Sequence, residues 1–444
     1  MRTRVMYSQK IMQNSRIFKD TVCAYRDAVS FFISVCLEEW DIISQEPEPK
    51  QRMNTLEKLT HPTSKRVDVP YCFDSNDRRF YKFPSYLRRA ACMEAIGKVS
   101  SYRSNMANWE KTGEGKRPGK PKAGYVYPCL YRENMYEEEE GYTAKIKVYI
   151  RNTWDWITVR LRRSDVDYAK RHCTGMKQSS PTLQKRGKEW FLDFMYETKT
   201  ELSSTPVNEQ VILAVDLGIN SACTCSCILS DGTILGRRFL QLSKEEDCLK
   251  KAVNRIKKAQ QHGNGKTPRL WAAAKGINDD IAVKTSRFIM ECAEEYKAGV
   301  IVFEHLDRSG KKKGSKKQRL HLWKAIYVQA ITESKAHRQG IHISRVCAWG
   351  TSRLAFDGSG KVKRGKESLK CSDNYSMCEF VTGKVYNSDL NASYNIGARY
   401  FIREIAKSLP ERERLAAEAK DPELARRSTC TLSTLIRLNA KLAA

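Results

Sequence analysis

Apolar positions in the first part of the chain recur at spacings of three, four or seven. Ile11, Phe18, Val22, Tyr25, Val29, Phe32, Cys36 and Trp40 fall on one face of a helix. This spacing predicts a long amphipathic helix from about residue 10, after a short strand at 1–8 and before the Glu46-Pro47-Glu48-Pro49 run. Further helices are expected at 51–60 and 84–110, the second opened by Phe83-Pro84-Ser85. A Gly-, Pro- and Lys-rich stretch at 111–124 reads as a linker or phosphate-contacting loop. The period then changes to two. Ala144, Ile146, Val148 and Ile150 alternate with Lys145, Lys147 and Tyr149, and the same alternation marks Ile157–Leu161 and Trp190–Tyr196. These are half-buried antiparallel strands, and they suggest a small barrel or sandwich.

After a polar boundary at 198–208 the pattern changes again. Val211 to Val215 is a continuous apolar run, as in a strand buried on both faces, with Asp216 at its end and Gly218 opening the turn. Strands at 223–229 and about 233–239 follow, with Asp231-Gly232 between them. Cys223, Cys225 and Cys227 alternate on one face of the first and read as reduced, buried thiols. Basic helices are expected at about 243–263 and 269–298. Val300 to Phe303 is a second buried strand, with Glu304 at its end. A helix at about 320–338 precedes a strand at 341–346, and 347–388 is irregular. The run SDLNASYNIGARYF starts a helix, with Ser388 as its expected cap and Leu390, Tyr394 and Phe401 on its apolar side. A charged, helical tail follows Pro410.

Composition narrows the class of partner. Lys and Arg number 79 against 51 Asp and Glu, a net charge of +28, which points to a polyanion and first of all to nucleic acid. The hydrophobic content of 41% is enough to build cores in a chain of 444 residues. There is no apolar run of the roughly 18 residues a bilayer span needs, and no secretory signal, so the expected location is the cytoplasm of a prokaryote, in cytosol or nucleoid. The fifteen cysteines have no small-scaffold spacing.

Asp216, Glu304 and Asp389 are the candidate catalytic and metal-binding residues. Two end buried strands and the third lies in the first turn of a helix, so they can converge at one sheet edge. Cleavage of a phosphodiester by the two-metal route needs carboxylates that flank two divalent ions about 4 Å apart, and hard oxygen donors select Mg²⁺ or Mn²⁺. The first and fourth strands of a β-β-β-α-β-α-β-α order would be neighbours. The helix dipole would favour the ionised form of Asp389.

The motifs AVDLGIN, VFEHLD and SDLNASYNIG resemble the three RuvC motifs of the TnpB nucleases and of the miniature type V-F CRISPR effectors. The likeness covers most of residues 207–405, and the D-x-N-A-x-x-N-I pattern is its most specific part. The resemblance implies a multidomain α+β protein. An RNase H-like (RuvC) α/β nuclease domain at 207–346 and 385–408 would follow a helical recognition lobe at 10–119. That lobe would be inserted in an antiparallel β-barrel (wedge) domain at 1–9 and 120–206. A target-nucleic-acid-binding module would occupy 347–384, and a charged tail 409–444. The implied activity is guide-RNA-directed, Mg²⁺-dependent cleavage of target double-stranded DNA in a single site. The implied partners are a guide RNA, from a CRISPR array or a transposon end, and the DNA, with the chain acting as a monomer or homodimer. The guide reads the sequence and the protein reads shape and a short adjacent motif.

One departure stands out. The family's inserted module usually carries four zinc-binding cysteines, whereas only Cys347, Cys371 and Cys378 are available here, one short of tetrahedral zinc. The candidate nucleic-acid contacts are Arg88, Arg89, Lys250, Lys251, Arg255, Lys257, Lys258, Lys311, Lys312, Lys313, Lys316, Lys317, Lys361, Lys363 and Arg364. Tyr71, Phe80 and Tyr86 are aromatic candidates for base stacking, with core packing favoured for each. Three readings compete: an RNA-independent transposase or resolvase on the same fold, a nuclease-inactive guide-directed binder, and a ribosome-associated RNA binder.

Overall fold

The structure is a computed structural model that describes the chain except residues 14–15, 74–79, 219–221, 307–323, 373, 375, 421–423, 425, 427 and 444. It forms two units, residues 4–198 and residues 199–444 with Met1–Thr3.

The strands of the first unit are β1 (Arg2–Ile11), β2 (Tyr136–Glu138), β3 (Thr143–Ile150), β4 (Thr153–Arg160), β5 (Lys177–Gln178), β6 (Thr182–Arg186) and β7 (Glu189–Lys199). Its helices are α1 (Arg16–Glu38), α2 (Trp40–Ser44), α3 (Pro49–Thr60), α4 (Ser85–Thr112) and α5 (Arg163–His172). Helix α1 turns Phe18, Val22, Tyr25, Val29, Phe32 and Cys36 inward, as the spacing predicts. Helix α3 starts earlier than expected because Pro49 fits its first turn and Glu48 and Gln51 form a capping box. One apolar cluster runs through helices and strands alike, from Phe18 to Tyr196.

The expected β-barrel is not found. The described strands form a four-stranded sheet built on β7 and a separate three-stranded sheet β2-β3-β4, and neither closes. The reason is that helix covers the strands. Helix α1 packs along β3, and Tyr149 of β3 donates its backbone N–H to Thr21 of α1 at 2.9 Å.

The second unit is built on a five-stranded sheet. Its strands are β8 (Val211–Asp216), β9 (Cys223–Leu229), β10 (Ile234–Leu240), β11 (Val300–His305) and β12 (His342–Cys347), in the order β10-β9-β8-β11-β12. Strands β8, β9 and β10 make an antiparallel meander, and β11 and β12 run parallel to β8. Helices α6 (Ser243–Gln261) and α7 (Pro268–Glu295) lead into β11, and α8 (Ala325–Arg338) leads into β12. A hairpin of β13 (Met377–Glu379) and β14 (Val385–Asn387) precedes α9 (Ser388–Ser408), α10 (Glu411–Lys420) and α11 (Leu432–Ala443).

Both faces of this sheet are covered, which is why its inner strands read as continuous apolar runs. Ile212, Ala214, Val300 and Val302 pack with residues of α9 and α11. Leu213, Val215, Ile301 and Phe303 pack with residues of α7 and α8. Helix α9 is buried almost all round, Leu390 to Ile402 without a break, rather than on one stripe. Its cap is Asn387, not Ser388: the Asn387 side chain accepts from the backbone N–H groups of Asp389 and Leu390 at 3.0 Å each. The C-terminal stretch is more than a charged tail, because Leu432, Leu435 and Leu438 of α11 are buried in the α9 core.

Candidate active site

Alternation along a strand decides which way the two strand-end acids point. On β8, Ile212 and Ala214 face α9, so Asp216, two residues on, projects to the same side. On β11, Val300 and Val302 face α9, so Glu304 does too. The parallel register pairs Phe303 with Val215, which sets Glu304 beside Asp216 on strands about 4.8 Å apart. Asp389 stands in the first turn of the helix that covers this face. The structure therefore brings the three predicted acids to one edge.

Their electrostatics follow from that placement. The Asp216 carboxyl is pushed well above the usual carboxylate range, first by burial and then by the negative charges of Glu304 and Asp389, while Arg364 pulls it down. Glu304 is also raised by burial, against the Thr351 hydroxyl and the Arg399 guanidinium, which favour its ionised form. Thr351 donates its hydroxyl hydrogen bond to Glu304 Oε1.

Two side chains at this edge have buried polar atoms without a hydrogen-bond partner among the described residues. One is Thr224, through Oγ1, on the strand residue paired with Asp216; the other is Arg364, through Nε and Nη2. Among the described residues no group of three or more His, Cys, Asp or Glu is gathered tightly enough to be a metal centre as it stands. What fits a divalent cation is the chemistry of the set: hard oxygen donors close enough for two of them to raise the third, Asp216, beside orphaned polar atoms.

The loop after β12 is tied down by residues of α9, among them Arg399, which the sequence does not single out. Arg399 of α9 is 4% exposed, and its guanidinium donates to the carbonyls of Cys347 at 2.7 Å, Trp349 at 2.8 Å, Ser428 at 2.5 Å and Cys430 at 3.1 Å. Asn395 donates to the carbonyls of Thr351 at 2.9 Å and Leu354 at 2.8 Å. Asn391 donates to Leu354 O and accepts from the Phe356 N–H, both at 2.8 Å. The asparagines of the D-L-N-A-S-Y-N-I motif thus fasten the loop that holds Glu304. The one visible signal for Arg399 is a charge set within the otherwise uncharged, mostly apolar run from Ile396 to Ile402.

The insert holds itself together without four thiolates. Cys371 and Cys378 are both buried, and burial pushes the Cys378 thiol up to about 11, with Cys371 and Asp389 adding to the rise. Cys347 is exposed at the end of β12 and is not gathered with them into a metal-binding group. Ala355, Val362, Cys378 and Phe380 form a small apolar core, with Phe356 and Tyr386 against it.

The basic candidates divide. Lys250, Lys251, Arg255, Lys257 and Lys258 lie exposed on α6, and Lys361 and Lys363 are exposed on the insert. Arg88 is instead a buried tie between α4 and α3, 3.3 Å from Glu57, and Arg89 meets the same carboxylate at 3.3 Å. Arg88 is corrected from a phosphate contact to an interhelix ion pair. Lys311, Lys312, Lys313, Lys316 and Lys317 lie outside the described residues. Phe80 is buried against Phe73, and Tyr71 donates to Glu39 at 2.9 Å, while Tyr86 is 45% exposed.

Comparison with known proteins adds a separate line. A family model described as Aq_aa04 matches residues 4–150. TnpB-like protein aq_aa05 of Aquifex aeolicus is 25% identical over 240 residues, 49% of this chain and 76% of that protein. The uncharacterized protein aq_aa04 of the same organism is 39% identical over 108 residues, 22% of this chain and 58% of that protein. Among solved structures, a Cas12f1 chain in complex with sgRNA and target DNA gives a TM-score of 0.34 at 14% identity, covering 88% of this chain and 98% of that one. A C2c1 chain bound to sgRNA gives 0.41 at 10% identity, covering 88% of this chain and 66% of that one. The match to aq_aa05 agrees with the resemblance carried by the three acidic motifs.

Proposed function

We propose that this protein is an RNA-guided DNA endonuclease with one RNase H-like site formed by Asp216, Glu304 and Asp389. The observation that carries the reading is the meeting of these acids, far apart in sequence, at one sheet edge, where Glu304 and Asp389 together raise the Asp216 carboxyl. Such crowding of like charges is costly unless a cation or a reacting phosphate answers it.

Asp216, Glu304 and Asp389 would hold divalent ions, Mg²⁺ or Mn²⁺. When bound, such ions activate a water molecule and stabilise the leaving oxygen of a phosphodiester. The chain's own residues prepare the site. Thr351 fixes Glu304 through its Oε1. The Arg364 guanidinium, with Nε and Nη2 unpartnered among the described residues, offers a donor fork to a phosphate. The net charge of +28 supplies sequence-independent affinity for a guide RNA and a DNA duplex.

The test is cleavage by the full chain with its co-purified RNA, on DNA matching that RNA, in Mg²⁺. The wild type cuts and Asp216→Ala does not. Equal cutting by both, or no RNA recovered with an active protein, overturns the reading.

A further inference from the structure

We infer that Trp349 is a stacking platform for an unpaired nucleobase of the strand being cut. This deepens the proposed nuclease site and rests on it.

Trp349 is 62% exposed, unusual for the side chain with the largest apolar surface to bury. It does not sit on a loose loop. Its own carbonyl accepts from the buried Arg399, as does that of Cys347. Two residues on, Thr351 is 2% exposed and is held by Asn395 through its carbonyl and by its hydroxyl bond to Glu304. The loop leaves β12 at Cys347, which pairs in register with His305, the neighbour of Glu304. A clamped backbone thus carries an exposed indole two residues from the threonine that holds Glu304.

The physical argument is one of cost. A rigid backbone with a two-torsion side chain loses little entropy on binding. An exposed apolar face of this size gains most from a planar partner. Beside carboxylates that act on a phosphodiester, in a chain of charge +28, that partner is a base flanking the scissile phosphate rather than a protein side chain. Stacking on an aromatic ring strengthens binding and tolerates any base, which suits a site that must cut whatever the guide selects.

The experiment measures binding apart from cleavage. Full-length wild type, Trp349→Ala and Trp349→Phe are titrated with a single-stranded oligonucleotide carrying 2-aminopurine, in chelator so that nothing is cut. The same proteins, with Asp216→Ala, are then assayed for cleavage in Mg²⁺. Expected are quenching of the probe by wild type, roughly tenfold weaker binding by Trp349→Ala, and recovery of most of it by Trp349→Phe. Equal binding and quenching by wild type and Trp349→Ala overturns the platform, and implies that the indole meets protein instead. Absence of wild-type binding also overturns it. If binding follows Trp349 while Asp216→Ala cuts as well as wild type, the nuclease assignment has failed and the stacking has not.

Discussion

Asp216 carries the strongest residue-scale consequence. Its folded pKa lies above its unfolded value because burial and two neighbouring carboxylates disfavour the charge. The stability this group contributes is complete below the unfolded value, about 4, and is lost as pH rises through the folded one. Metal-free wild type therefore loses stability as pH rises above about 4, and Asp216→Asn removes that loss. In chelator, thermal melts should show Asp216→Asn a few degrees more stable than wild type at pH 8. The gap should shrink as pH falls toward 4, and Mg²⁺ should narrow it at pH 8 by answering the charge in wild type. A variant no more stable than wild type at pH 8 would mean that the carboxylates do not confront one another. Thr351 gives a second case. Thr351→Val removes the hydroxyl that orients Glu304, at a stability cost of about 1 kcal/mol. Single-turnover cleavage should slow roughly tenfold, with Thr351→Ser close to wild type. The three acids were legible because each ends an apolar run or opens a helix. Arg399 was not, since its acceptors, the carbonyls of 347, 349, 428 and 430, are distant in sequence and carry no residue-type signature.

At the scale of elements, the site depends on how closely α9 lies on the sheet. Gly397 is the contact point. A Cβ there would meet Ile228 Cδ1 at 2.5 Å, Ala214 Cβ at 3.2 Å and Ile212 Cδ1 at 3.4 Å. The isoleucine tips can turn aside, but the Ala214 methyl is fixed to β8. Helix propensity alone would favour Ala by about 1 kcal/mol. Overpacking of a close core contact costs about 1–3 kcal/mol and wins. Gly397→Ala should lower the urea midpoint and, by lifting α9, move Asp389 away from Asp216, so that cleavage falls further than the loss of folded protein accounts for. Strands β8 and β11 could be read from sequence because burial on both faces leaves only apolar residues. The barrel could not. Alternation in β3 says that one face is covered, not that the cover is α1 rather than another strand. The helix start was missed by one residue because Asn387 and Ser388 are both good caps, and only the side-chain geometry chooses between them.

At the scale of the whole molecule the excess positive charge is general, but its use is local. Arg88 is consumed by Glu57 inside the first unit, whereas α6 turns Lys250, Lys251, Lys257 and Lys258 toward solvent around a single buried anchor, Ile256. A cation free to approach a phosphate releases a counterion, and the logarithm of the binding constant then falls with the logarithm of salt by about 0.7 per single-stranded phosphate and 0.9 per duplex phosphate. Replacing Lys250, Lys251, Lys257 and Lys258 of α6 by Gln should weaken binding at low salt and flatten that slope, by nearly one unit for each phosphate no longer neutralised. Arg88→Gln should leave the slope alone and lower thermal stability instead, because it strands the Glu57 carboxylate against α4 with only the more exposed Arg89 beside it. Salt titrations of the bound RNA separate the two classes of cation without any assumption about cleavage. An unchanged slope in the α6 variant would place the phosphate path on another face of the protein, with the exposed Lys361 and Lys363 of the insert as the next residues to replace.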